Sequence, residues 1–315
     1  MRADIEACAI CESVASPRIV RGVRDYLTHE RFELVQCPRC GFARTAPAPT
    51  DLARYYPKRY RRFNAAGAFL LRRLYLRRVD SWLARLPATG LALEIGSGTG
   101  WMLGALRARG WRAIGSEREL DAAGVAHAAS GAPMFVGDLA AVRLAAGLDL
   151  LIMFHVLEHI ERPDKALRDA AARMRPGGIL VLGLPNIGSW QARFAGRRWM
   201  HLDVPRHLCH FTPRAIEQAL TAAGFRLERI TFTSFEHDPL AWVQAVLEKL
   251  GFEDAIVLKL LFGVHDRRSG PGRTLVAFVL AIPLGAIAVV LAMASWRARA
   301  GALMQVWATR GPVDL

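Results

Sequence analysis

The sequence predicts an α/β fold built on a parallel sheet. Short, strongly apolar runs at Leu91–Ile95, Arg112–Ser116, Leu148–Phe154 and Ile179–Leu184 alternate with helical stretches at Trp101–Arg109, Leu120–Ser130 and Pro163–Met174. A glycine-rich turn joins the first run to the first helix. The chain has 315 residues, 52% apolar and 22% charged, which is enough to bury a core without disulfide staples and excludes global disorder.

Each apolar run is short and apolar on both sides, as in strands covered by helices on both faces. Met134–Val136 reads as a further short strand. Pro176-Gly177-Gly178 reads as a stop and turn ahead of the Ile179 strand. Thr212-Pro213 reads as an N-cap with proline at the first helical position, and that helix runs to Gly224, a C′ glycine.

The sharpest motif is Leu93-Glu94-Ile95-Gly96-Ser97-Gly98-Thr99-Gly100, where a strand enters glycines and a helix opens at Trp101. Glycines allow a tight turn and close approach of a ligand to the backbone. A dinucleotide fingerprint, G-x-G-x-x-G, fails because Trp101 holds its last position. The form present, E-x-G-x-G-x-G, resembles the first nucleotide-binding motif of the class I S-adenosylmethionine-dependent methyltransferases. The resemblance implies a Rossmann-like seven-stranded methyltransferase sheet, with Phe225–Phe235 and Ala302–Ala308 as its last two strands, and S-adenosylmethionine as cofactor. It implies a cofactor site of Glu94, Gly96, Ser97, Gly98, Gly100, Glu117 and Asp138. Glu117 would take the ribose hydroxyls, Asp138 the adenine amino group and Glu94 the methionyl ammonium.

Phe154-His155-Val156-Leu157-Glu158-His159 follows the fourth strand and resembles a stretch found in many small-molecule methyltransferases. Ligands of open α/β sheets bind beyond the carboxyl ends of strands, which places His155 near the reacting methyl group. The H-E-x-x-H metal pattern is absent, so no metal is expected there. Pro185-Asn186 leads into a long segment, Ile187 to Phe211, whose length predicts a lid. Within it, Asp203-Val204-Pro205-Arg206-His207-Leu208-Cys209-His210-Phe211-Thr212 resembles a segment of a methyltransferase subgroup. Methyl transfer needs an aligned acceptor and sometimes a base, and His155 and His207 are the expected catalytic residues. Cys209 is expected to be buried rather than reactive.

Cys8-x-x-Cys11 and Cys37-x-x-Cys40 have metal-ligand spacing and predict a structural Zn²⁺ held by four thiolates. With the segment through Tyr56 they resemble the zinc-ribbon leader of some bacterial methyltransferases. The first residues carry Asp4 and Glu6 and no apolar run, unlike a signal peptide, and the cysteine usage points to a reducing, cytoplasmic setting.

Lys+Arg exceed Asp+Glu by 42 − 28 = 14, which favours an anionic partner. Arg54 to Arg78 holds nine basic and no acidic residues among Tyr55, Tyr56, Tyr60, Phe63 and Tyr75. That composition suits an anionic lipid surface, single-stranded nucleic acid or a solvated helix; nucleic acid is not the expected partner. Thr274–Trp296 is 23 residues without a charge, about 34 Å of helix. Pro283 divides it, and arginines flank both ends: Arg267, Arg268 and Arg273 before it, Arg297 and Arg299 after it. A hairpin or interfacial helix pair mooring the chain to the cytoplasmic side of the cell membrane is expected, with Leu240–Val264 at the interface beside it.

The expected organisation is a zinc-ribbon-like leader (1–50), a basic and aromatic linker (51–89), a cofactor-binding domain (90–235 plus 300–311) and an apolar helical insertion (236–299). The expected function is methyl transfer to a small-molecule or lipid-linked acceptor: a lipid, isoprenoid or lipid-linked glycan. The alternatives are a soluble sugar or secondary metabolite as acceptor, or a non-catalytic nucleotide-binding adaptor.

Overall fold

The computed structural model describes residues 7–56, 72–73, 76–77, 79–82, 84, 86–139, 147–252, 256 and 271–312. Most of the basic stretch and the later part of Leu240–Val264 lie outside the described residues. The chain divides into two units. The first gathers residues 1–68, 185–215 and 231–304, and the second gathers 69–184, 216–230 and 305–315.

The first unit begins with an antiparallel sheet of β1 (Arg18–Arg24), β2 (Arg31–Gln36) and β3 (Ala43–Ala46). A bulge between Val20 and Val23 places Gly22 at φ +74.

The second unit is centred on a seven-stranded sheet. Its strands are β4 (Leu91–Ile95), β5 (Arg112–Glu117), β6 (Met134–Val136), β7 (Leu148–Phe154), β8 (Met174–Pro185), β10 (Phe225–Thr231) and β11 (Leu303–Arg310), in the order β10-β11-β8-β7-β4-β5-β6. β8, β7, β4, β5 and β6 pair in parallel. The helices are α1 (Trp101–Arg107), α2 (Leu120–Ser130) and α3 (Pro163–Arg173). Met102, Leu103 and Leu106 of α1 pack with Val79, Trp82, Leu150, Ile152 and Trp307 in one apolar core. Trp82 Nε1 donates to Gln305 Oε1 at 2.9 Å, which satisfies a buried polar pair inside that core.

Pro176-Gly177-Gly178 makes the turn expected from the sequence, with Gly177 at φ +78, but inside a strand rather than ahead of one. α3 ends at Arg173, and β8 runs from Met174 through the three residues. The ladder with β7 passes from Met174 opposite Leu148 to Ile179 opposite Leu150, and a Cβ at Gly178 would meet the Leu148 and Arg175 carbonyl oxygens at 2.7 and 2.9 Å.

The segment Ile187 to Phe211 is no free-standing lid. It forms α4 (Trp190–Ala195), two short 3₁₀ turns and β9 (Cys209–His210), which pairs with β3. Ala192, Trp199, Leu202 and Val204 join Val23, Phe32, Leu34 and Tyr55 in the core of the first unit. α5 (Pro213–Ala222) follows, with Thr212 Oγ1 accepting from the Ala215 amide at 3.1 Å as the N-cap and Gly224 at φ +80.

The insertion contains α6 (Asp238–Lys249) and α7 (Pro271–Arg297). α7 continues unbroken through Pro283 and corrects the expectation of two arms. Proline removes one backbone hydrogen bond, but an apolar helix of 27 residues keeps its remaining ladder. Ala277, Ala288 and Ala292 are buried against Trp242, Val243 and Leu247 of α6. Asp238 Oδ2 accepts from Trp296 Nε1 at 2.6 Å at one end of the pair, and the Gly251 carbonyl accepts from Arg273 at 2.7 Å at the other.

Candidate cofactor site and metal centre

Gly96, Gly98 and Gly100 all sit in the left-handed region, at φ +70, +53 and +71. Two of them are pinched. A Cβ on Gly96 would meet Val156 Cγ2 at 2.6 Å, and one on Gly100 would meet the Ala126 carbonyl oxygen at 2.5 Å. Gly98 is the open one, with nothing within 4 Å of where its Cβ would stand. The loop is therefore closed against protein at both ends and open at its middle. Its start is anchored by the Gly96 and Ser97 amides, which donate to the Ser116 carbonyl at 2.9 and 3.2 Å.

Two carboxylates border the loop. Glu117, at the end of β5, accepts from the Gly98 amide through Oε1. Glu94 is buried within β4, and its Oε2 has no hydrogen-bond partner among the described residues. Burial, then the charge of Glu117, pushes the Glu94 carboxyl well above the usual range, against a smaller opposing effect of the Leu103 amide. Burial also raises Glu117, partly offset by the amides of Gly98 and Arg118. An orphaned buried carboxylate oxygen suits a cationic group. Asp138 is exposed after β6, and the Gly137 amide beside it donates to the Glu117 carbonyl at 2.9 Å.

Beyond β7, His155 adopts φ +57, a strained conformation for a non-glycine residue that costs ~1–3 kcal/mol. Its amide donates to the Gly183 carbonyl at 2.8 Å, and its Nδ1 lies 3.1 Å from Oε1 of the fully buried Glu158. The Glu158 partnership was missed in the sequence, although i,i+3 spacing was its available signal. His207 belongs to the first unit. It is buried, with Nδ1 2.9 Å from the His201 carbonyl oxygen.

The other feature missed is Arg206, which is fully buried. Its guanidinium donates to Asp203 Oδ1 at 2.8 Å, Asp25 Oδ1 at 2.6 Å and the Tyr55 carbonyl at 2.9 Å, and it stacks over the Tyr26 ring. Asp25 also accepts from the Thr28 amide and hydroxyl at 2.8 and 2.7 Å. The segment resembling a substrate-side motif is thus tied to the N-terminal sheet by a buried charge network. Cys209 is buried, as expected.

The four cysteines Cys8, Cys11, Cys37 and Cys40 come together, with all sulfurs within 4.8 Å of one another. The Cys8–Cys40 and Cys11–Cys37 sulfurs are each 3.7 Å apart. Gly41 at φ +80 closes the second knuckle, where the Phe42 amide donates to Cys40 Sγ. Burial opposes ionisation of Cys37, but the Cys40 and Arg39 amides outweigh it and lower that thiol to about 7. Four sulfur donors in this grouping fit a structural zinc.

A family model described as "Methyltransferase domain" matches residues 64–230, more than half of the chain. The chain belongs to this methyltransferase family. It is an S-adenosylmethionine-dependent methyltransferase, with the seven-stranded Rossmann-like sheet of that fold. No curated protein matches the enzyme in sequence. Among solved structures, it resembles a putative methyltransferase in complex with the Trm112 activator from Haloferax volcanii, with 16% identity, 80% of this chain and 99% of that one covered, and TM-score 0.49. A possible histamine N-methyltransferase from Thermotoga maritima is 16% identical over 77% of this chain and 92% of that one, with TM-score 0.46. Magnesium protoporphyrin IX methyltransferase from Synechocystis, with bound SAH, is 21% identical over 51% of this chain and 78% of that one, with TM-score 0.42. Likenesses this distant carry no argument about the acceptor.

Proposed function

We propose that the enzyme methylates a lipid, isoprenoid or lipid-linked glycan at the cytoplasmic face of the cell membrane. The observation that supports this most is the outward face of α7. Leu275, Val276, Phe278, Val279, Ile282 and Val290 are each at least half exposed, while small residues face α6. A contiguous apolar face of this kind suits hydrocarbon rather than water. Arg273 and Arg297 stand near its two ends, where headgroup phosphates would meet them.

In this reading Glu94, Gly96, Ser97, Gly98, Gly100, Glu117 and Asp138 hold the cofactor, which supplies an electrophilic methyl group on a sulfonium. Glu94 offers its buried carboxylate to the ammonium, and Glu117 and Asp138 offer acceptors to the ribose and adenine. His155 takes the proton from the acceptor hydroxyl. With Nδ1–H directed at Glu158, the accepting lone pair lies on Nε2, and the buried carboxylate stabilises the imidazolium that forms. His207 is the second candidate for proton handling.

Flotation on phosphatidylcholine vesicles tests the membrane part. The wild type should rise with the vesicles, and Ile282→Asp/Val290→Asp should remain in the dense fraction. Equal flotation of both proteins would contradict the assignment of α7.

A further inference from the structure

The first unit contains an open cleft of about 880 Å³, mouth included, bordered by arginines from two parts of the chain. Arg24 and Arg31 face each other across the β1–β2 pair, an arrangement that repulsion between like charges disfavours. Arg197 and Arg198 follow in tandem on the 3₁₀ turn Gly196–Arg198. All four side chains are exposed, and Arg31 and Arg197 hold no ion pair among the described residues.

The two acids on the wall are engaged within the protein. Asp203 accepts from Arg206, and Glu248 Oε1 accepts from Gln244 Nε2 at 2.7 Å. The Glu248 carbonyl accepts from Arg198 at 3.0 Å, which fixes that arginine at the rim. The buried rings of Trp199 and Tyr26 back the cleft. Trp199 is held by its Nε1 donating to Gln191 Oε1 at 2.8 Å.

We propose that this cleft binds the phosphate or diphosphate group of an amphiphilic ligand. Guanidinium forks match phosphate oxygens in pairs, and several of them converging favour a multiply charged anion over a carboxylate. The apolar half of the ligand follows from the same unit. α6 places Glu248 at the cleft and packs Trp242, Val243 and Leu247 against α7, so one helix of about 18 Å joins the cationic cleft to the apolar face. Identifying the bound anion as the head of the methyl acceptor rests on the lipid-acceptor reading; anion binding itself does not.

The test is calorimetric titration of the full chain, without cofactor, using inorganic pyrophosphate and farnesyl diphosphate at low salt. Arg31→Gln/Arg197→Gln is compared with Arg112→Gln/Arg226→Gln, which removes the same charge from exposed sites in the other unit. The cleft variant should lose at least about tenfold in affinity for both diphosphates, and the control should stay within about twofold of wild type. Tighter binding of farnesyl diphosphate than pyrophosphate supports an amphiphilic ligand; equal binding overturns the amphiphilic part and assigns the cleft to a soluble phosphate ester. Equal losses in the two variants, or no binding of either diphosphate, overturn the proposal. Since the readout needs neither cofactor nor turnover, its failure is separable from failure of the lipid-acceptor reading.

Discussion

The two units reach their order by opposite routes. The glycine loop of the second unit is local: one strand, one glycine run and one helix over Leu91–Arg107, with Glu117 closing the loop through the Gly98 amide. The first unit is assembled from three separated stretches of chain, and its central cation, Arg206, reaches Asp25 across 181 residues of sequence. Local order comes from conformational rules that a short motif can satisfy. Assembled order comes from buried charge and shared core that no short motif displays.

The largest effect should come from filling the open middle of the loop. Gly98→Arg adds a side chain to the open position of the loop, at a backbone angle costing ~1–2 kcal/mol for a non-glycine residue. Cofactor binding by calorimetry should become undetectable while far-ultraviolet dichroism stays as in wild type. Retained binding would mean that the open side of Gly98 does not face the cofactor.

Next is His155→Ala, which should lower kcat by about 10²–10⁴-fold with cofactor affinity unchanged. Glu158→Gln should also lower kcat with cofactor affinity unchanged, because it weakens the partner that orients the His155 ring. A loss confined to KM would instead make His155 a binding residue.

For the first unit the counterpart is Arg206→Ala, which strips the shared cation from Asp25 and Asp203. Breaking a buried ion pair on one side costs about 3–5 kcal/mol, and the denaturation midpoint should fall accordingly. Arg206→Met, combined with Asp25→Asn and Asp203→Asn, should recover part of that loss. A change below about 1 kcal/mol for Arg206→Ala would sink the idea that this network holds the unit together.

The smallest effect is a pH dependence. Glu94 and Glu117 are both raised in the folded protein, chiefly by burial, so the folded state holds protons more tightly than the unfolded chain. Their contribution is full below the unfolded value of about 4.3 and is lost as pH rises through the raised folded values. Thermal midpoints of the cofactor-free protein should therefore fall over that window, and Glu94→Gln should flatten the slope. An identical slope in Glu94→Gln would remove Glu94 as its source.

This contrast explains what was legible in the sequence. Strands β4, β6 and β7, the Thr212 cap and the Gly224 terminator follow period and punctuation, and the structure has them at the expected residues. The cysteine set was legible because metal geometry fixes its spacing, and its sulfurs do come together. Pro176-Gly177-Gly178 was legible as a turn, and Gly177 stands at φ +78, but its place inside β8 was not, because Met174 pairs with Leu148 ahead of it. Ile187 to Phe211 read as a lid because its partners, β3 and Asp25, lie far away in sequence. Pro283 read as a break because propensity is a local rule, whereas α7 packs on α6 through Ala277, Ala288 and Ala292, on both sides of Pro283.

The most direct test of the central claim is transfer of radiolabelled methyl from S-adenosylmethionine into a membrane-plus-cytosol extract, followed by partition between organic and aqueous phases. The account predicts label in the organic phase with wild type, none with Gly98→Arg, and a strong reduction with Ile282→Asp/Val290→Asp. Label confined to the aqueous phase, unaffected by the α7 variant, would contradict it.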